Sequence, residues 1–89
     1  MPLPKAAARV GKRGQKLRKR SITIDGHRTS LSLEDAFWEE LGALARARGL
    51  SLAALVAEID HARGGSGNLS SALRLHVLEA LRHRADRGG

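Results

Sequence analysis

The alternation of apolar residues changes parity between Ile24 and Leu31, and that one break limits what the first half of the chain can become. Ile22 and Ile24 alternate with Ser21, Thr23 and Asp25, and Leu31 and Leu33 alternate with Ser30 and Ser32, the period of two that marks strands. One continuous strand would set Ile22 and Ile24 on the side of Ser30 and Ser32, opposite Leu31 and Leu33, so neither face would be consistently apolar. A tight turn at Asp25-Gly26, a preferred type I′ pair, removes the conflict. With Ile24 opposite His27 and Ile22 opposite Thr29, one face carries Ile22, Ile24, Thr29, Leu31 and Leu33. The other carries Ser21, Thr23, Arg28, Ser30 and Ser32.

Three helices are expected after the hairpin. Ser32-Leu33-Glu34-Asp35 has the spacing of a capping box, so the first helix begins near Glu34. Phe37, Leu41, Leu44 and Arg48 form its stripe with Trp38 and Ala45 alongside, and Gly49 follows as a C′ residue. Ser51 caps a second helix in which Leu52, Leu55, Val56 and Ile59 recur at helical spacing, ending near Arg63 before Gly64-Gly65-Ser66-Gly67. Asn68 caps a third helix from Leu69 to about Arg82. Its Leu73, Val77 and Ala80 lie on one side and Leu75, Leu78 and Leu81 on another, as for a helix with two neighbours. His83 to Gly89 reads as a frayed end.

An 89-residue chain has room for one domain and buries a modest share of its surface. It has no cysteine and four scattered histidines, so disulfides and metals offer no support and oligomerisation is the remaining route. No apolar run approaches the roughly 20 residues of a membrane span, and MPLPKAAARVGKRG lacks the apolar stretch of a signal peptide. The expectation is a soluble cytoplasmic protein without a membrane partner. The net charge of +7 is unevenly placed: residues 1–20 hold eight basic side chains and no acidic one, while residues 21–89 hold eight basic and nine acidic. Residues 1–20 read as a disordered basic arm, residues 21–84 as the folded domain and residues 85–89 as the tail. The arm is either a solubilising terminus or a phosphate-binding segment.

Catalysis is not expected. Neither a nucleophile with a positioned base nor a carboxylate pair in a cleft is recognisable, and Glu34-Asp35 and Glu39-Glu40 suit helix-dipole and solubility roles. The glycine run lacks the Lys-Ser or Lys-Thr of a phosphate loop, and His76 and His83 have no metal-ligand company. No cofactor or metal is expected, and Trp38 reads as a packing residue.

The stretch RTSLSLEDAFWEELGALARARGLSLAALVAEID, a polar-faced strand leading into two helices joined by a Gly-x-Ser turn, resembles the ribbon-helix-helix proteins of the Arc, MetJ and CopG type. From KRSITIDGHRTSLSLEDAFW through NLSSALRLHVLEAL the chain looks like a bacterial subfamily of ribbon-helix-helix domain proteins, over about 65 residues. The fold class this implies is mainly α with an N-terminal β ribbon. It is a ribbon-helix-helix unit with an added hairpin strand and a third C-terminal helix, in an intertwined homodimer. In such proteins each chain gives one strand to an antiparallel ribbon that enters the DNA major groove.

Carried over, the resemblance makes Arg28, Ser30 and Ser32 the base-reading positions. Leu31, Leu33, Phe37, Leu41, Leu55, Val56 and Ile59 become the dimer core. Phosphates fall to the amino end of the second helix, at Ser51, Leu52 and Ala53, and to Lys16, Arg18, Lys19 and Arg20 of the arm. Two features depart from the simple pattern. The strand Ser21–Asp25 would widen the ribbon, and Asn68-Leu69-Ser70-Ser71 is a second candidate phosphate anchor. The implied function is sequence-specific duplex DNA binding by a homodimeric transcription regulator of repressor type. The alternatives are an antitoxin-like module for dimerisation or a protein partner, and a nonspecific nucleic-acid binder.

Overall fold

A computed structural model describes residues 16–64 and 67–88. The expected basic arm lies outside the described residues up to residue 15, as do Gly65 and Ser66. Five elements follow in order: β1 (Leu17–Ile24), β2 (His27–Glu34), α1 (Asp35–Ala47), α2 (Leu52–Ala62) and α3 (Leu69–Gly88).

The strands form one antiparallel hairpin with Ile24 opposite His27, Ile22 opposite Thr29 and Arg20 opposite Leu31. Asp25 and Gly26 take φ values of 53° and 81°, the left-handed pair that a type I′ turn requires. The face assignment follows from this register. Ile24, Leu31 and Leu33 are buried and Ile22 and Thr29 half-buried, while Ser21, Thr23, Arg28 and Ser30 are exposed and Ser32 is half-exposed.

β1 begins at Leu17, not at Ser21, so Leu17 to Arg20 belong to the strand rather than to the arm. The sequence of this segment gives no apolar alternation, yet two of its arginines lie on the helix-facing side. Arg18 and Arg20 both hydrogen-bond Asp35, with Arg18 Nε 3.0 Å from the carboxylate, and the Arg20 guanidinium sits 4.7 Å above the Trp38 ring. Opposite charge and a π face replace the apolar signal.

The expected capping box does not form. β2 continues through Glu34, and Ser32 stays in the strand. Glu34 occupies the N-cap position without a side-chain cap bond, and the Asp35 amide donates to the Lys16 carbonyl at 3.2 Å. The ladder thus satisfies a helix amide that Ser32 was expected to reach. At the other end of α1 the Gly49 amide donates to the Arg46 carbonyl and the Leu50 amide to the Ala45 carbonyl, with Gly49 at φ 70°. This is a complete Schellman motif. It reverses the chain into α2, where Ser51 accepts from the Ala54 amide at 3.0 Å.

The helices pack over the apolar face of the hairpin. Leu33, Leu41, Leu55, Val56 and Leu73 are fully buried, and Leu31, Ile59, Val77, Ala45 and Ile24 nearly so. Of the residues expected to form a core between two chains, Leu31, Leu33, Leu41, Leu55, Val56 and Ile59 are therefore already closed off within one chain, with Phe37 packed half-buried against them. Leu73 and Val77 of α3 complete the lid. α3 runs on to Gly88, past the expected end at Arg82, because nothing between His83 and Asp86 breaks a helix.

Candidate nucleic-acid interface

The hairpin turns a polar face away from the helices. Lys19 stands opposite Ser32, Ser21 opposite Ser30 and Thr23 opposite Arg28, so hydroxyls run between a lysine and an arginine on a surface two strands wide. Both strands come from one chain. The added strand expected beside the ribbon is β1, paired along one edge of β2 within the same chain.

The other edge of β2 is partly covered as well. Ser70, in the first turn of α3, donates its hydroxyl to the Ser32 carbonyl at 2.7 Å. The amino end of α3 thus stands beside the polar face, and a cleft between them is lined by Lys19, Ser30, Ser32, Asn68 and Ser70. Asn68 caps this helix, its side-chain oxygen accepting from the Ser71 amide at 3.3 Å. Ser51 lies elsewhere. It begins α2, whereas the hairpin turn is met near the other end of that helix, where His61 Nε2 lies 2.5 Å from Asp25.

The carboxylates around the hairpin are all engaged. Glu34 receives both Nε and Nη2 of Arg74, at 2.9 and 3.2 Å, which holds its carboxyl below the ordinary value. Asp35 is shared by Arg18 and Arg20. Asp25 pairs with His61, whose imidazole is raised above its ordinary value chiefly by that hydrogen bond. Among the described residues no carboxylate pairs with Lys19 or Arg28, which leaves net positive charge on the outer face.

The sequence-derived site residues therefore divide. Arg28, Ser30, Ser32 and Lys19 come together on one face, whereas Lys16, just before β1, shares the parity of Arg18 and Arg20. Arg18 and Arg20 turn to the helices, where both share the single carboxylate of Asp35. Ser51, Leu52 and Ala53 form a separate helix start. Ser21 and Thr23 join the polar face beyond the expected site residues; their strand parity marks them for it, but the resemblance assigns base reading to the β2 positions alone. Among the described residues no three metal-ligating side chains converge.

The fold and the face define a class. The ribbon-helix-helix domain family matches residues 17–81, more than half of the chain, and the protein belongs to that family, one of DNA-binding regulators rather than of enzymes. Among solved structures it is similar to an uncharacterized protein from Bordetella pertussis Tohama I. The two share 27% identity over 92% of this chain and 69% of that chain, with a TM-score of 0.76. No protein of curated function matches the chain. No helix of the described residues is long and apolar enough to cross a membrane.

Proposed function

We propose that the protein is a sequence-specific duplex-DNA-binding transcription regulator of repressor type, active as a homodimer in the cytoplasm, and that it reads DNA with the outer face of its own hairpin. The observation that carries this reading is the uncompensated Lys19 and Arg28 charge at either end of a hydroxyl-lined face, with the neighbouring carboxylates already held by other cations. A major groove about 12 Å wide admits a two-stranded ribbon. One hairpin has that width without a partner strand.

In this reading Arg28 makes the bidentate contact to guanine that arginine geometry favours, and Ser30 and Ser32, with Ser21 and Thr23, donate to or accept from base edges. Lys16 and Lys19 neutralise phosphates. The capped amino end of α3 adjoins the face, which favours Asn68–Ser71 over Ser51–Ala53 as the phosphate seat, since amides at a helix start attract anions. The serine and threonine hydroxyls also suit a merely solvated surface, so affinity alone does not decide between base reading and nonspecific binding.

Discrimination does. On duplexes recovered by selection, Arg28→Ala should narrow the gap between the selected and a scrambled sequence by about 1–3 kcal/mol. A variant that keeps full discrimination would show that the hairpin is not the reader. The reading of the chain as a protein-interaction module is favoured by a different observation, the apolar outer side of α3.

A further inference from the structure

We propose that the open edge of β1 is a docking site for an extended acidic segment of a partner protein, added antiparallel as a further strand. The inference goes beyond the DNA reading and does not depend on it. β1 pairs with β2 along one edge, and among the described residues nothing pairs along the other. In this register Leu17, Lys19, Ser21 and Thr23 stand at the positions that make no ladder bonds with β2, so their N–H and C=O groups point outward in a row. Such a row is what an added strand needs. A second chain pairing along β2 would leave it open.

The row is held from the helix side. The Asp35 amide donates to the Lys16 carbonyl, Arg18 and Arg20 both bond the Asp35 carboxylate, and the Arg20 guanidinium lies over the Trp38 ring. A strand already ordered offers its backbone groups to a partner at little entropic cost.

Charge selects the occupant. Arg18, Lys19 and Arg20 follow one another, and among the described residues Asp35 is the one carboxylate paired with any of them. A lysine on an open edge keeps uncharged strands away, whereas opposite charges directly across a strand pair attract. Residues 1–15 carry four cations and no carboxylate, and a second β1 brings the same basic run, so neither supplies the missing charge. An acidic segment does. Beyond Arg20 the edge turns neutral. Ile22 is half-buried against the core and α2 packs against β1, so a β-branched residue opposite Ile22 would extend the apolar layer. Running antiparallel to β1, the segment therefore passes from alternating apolar and hydroxyl residues to three successive carboxylates. An apolar residue then meets Leu17, which is 56% exposed.

The test uses the full chain without DNA and the end-blocked peptide Val-Thr-Val-Thr-Glu-Glu-Glu-Leu, followed by NMR of the backbone amides. In the free chain the amides of Leu17, Lys19, Ser21 and Thr23 should exchange quickly, and those of Arg18, Arg20 and Ile22 slowly. Peptide up to millimolar concentration should slow the first set and leave the second unchanged. Lys19→Glu should weaken binding by about fivefold. The same peptide N-methylated at the residues facing Thr23, Ser21 and Lys19 keeps its charge and should not protect the edge. Four results would each overturn the proposal: an edge already protected in the free chain, no protection by the peptide, equal binding of the N-methylated peptide, or affinity unmoved by Lys19→Glu. None of them bears on whether Arg28 discriminates between DNA sequences.

Discussion

The Ser70 hydroxyl donates to the Ser32 carbonyl across 2.7 Å, and this bond joins the start of α3 to the outer edge of β2. In a hairpin closed by a two-residue turn the carbonyls of Ser30 and Ser32 point away from β1, toward the edge where a further strand would add. Ser70 takes the second of these. The start of α3 is thereby fixed beside the outer edge of β2 at Ser32. Replacing Ser70 with alanine leaves that carbonyl without its protein donor and should lower the unfolding free energy by about 1 kcal/mol. Chemical denaturation measures this; an unchanged midpoint would mean that the bond contributes nothing in solution.

The hairpin tip is tied to α2 by Asp25 and His61, and this tie is sensitive to pH. The Asp25 carboxylate raises the His61 pKa above its ordinary value of 6.5, first by hydrogen bonding and then by charge. A raised folded-state pKa means that the stabilisation is fully present below the unfolded value and is lost as pH rises through the folded value. Proton titration of the imidazole by NMR should therefore place His61 above 6.5, and Asp25→Asn should return it toward that value. A His61 titration unmoved by Asp25→Asn would show the pair to be open in solution.

Asp35 anchors the first half of β1. It accepts from Arg18 and Arg20, and Arg20 is held between this carboxylate and the Trp38 ring with its side chain 22% exposed. Asp35→Ala should cost roughly 1–3 kcal/mol, because a partly buried guanidinium loses its acceptor. It should also speed amide exchange in residues 17–20 more than in residues 21–24. Uniform exchange along β1 would contradict the anchoring role.

Salt dependence separates the cations that face outward from those that face the helices. Each phosphate contact adds about 0.9 to the slope of log affinity against log salt. Lys19→Ala should reduce that slope by about 1 while leaving sequence preference intact. Arg18→Ala should leave it nearly unchanged, since that charge already sits on Asp35. Equal effects of the two substitutions would place both side chains on the phosphates.

The legible parts of the fold were those written in period and turn chemistry. The parity break at Asp25-Gly26 carried the register, and the Gly49-x-Ser51 spacing carried the Schellman turn and the cap of α2. Leu17 to Arg20 were not legible as strand, because their inward side chains are arginines whose partners, Asp35 and Trp38, lie far along the chain. The capping box misled for a related reason: Glu34 is drawn to Arg74, forty residues away, and the ladder extends past Ser32. Of the candidate site, Arg28, Ser30 and Ser32 were readable from strand parity alone. The removal of Arg18 and Arg20 from it, and the arrival of Asn68 and Ser70 beside it, depend on tertiary contacts that no local pattern records.

The central claim, that one chain's hairpin reads duplex DNA, is tested most directly by affinity selection of sheared genomic DNA at low and raised salt. The full chain is compared with a chain beginning at Lys16, which retains all of β1, and with Arg28→Ala. A reading hairpin gives one recurrent motif with the first two proteins and loses it with Arg28→Ala. Smeared, salt-sensitive recovery that vanishes with residues 1–15 and ignores Arg28 would contradict it, and would leave the hairpin as a scaffold for a nonspecific basic arm.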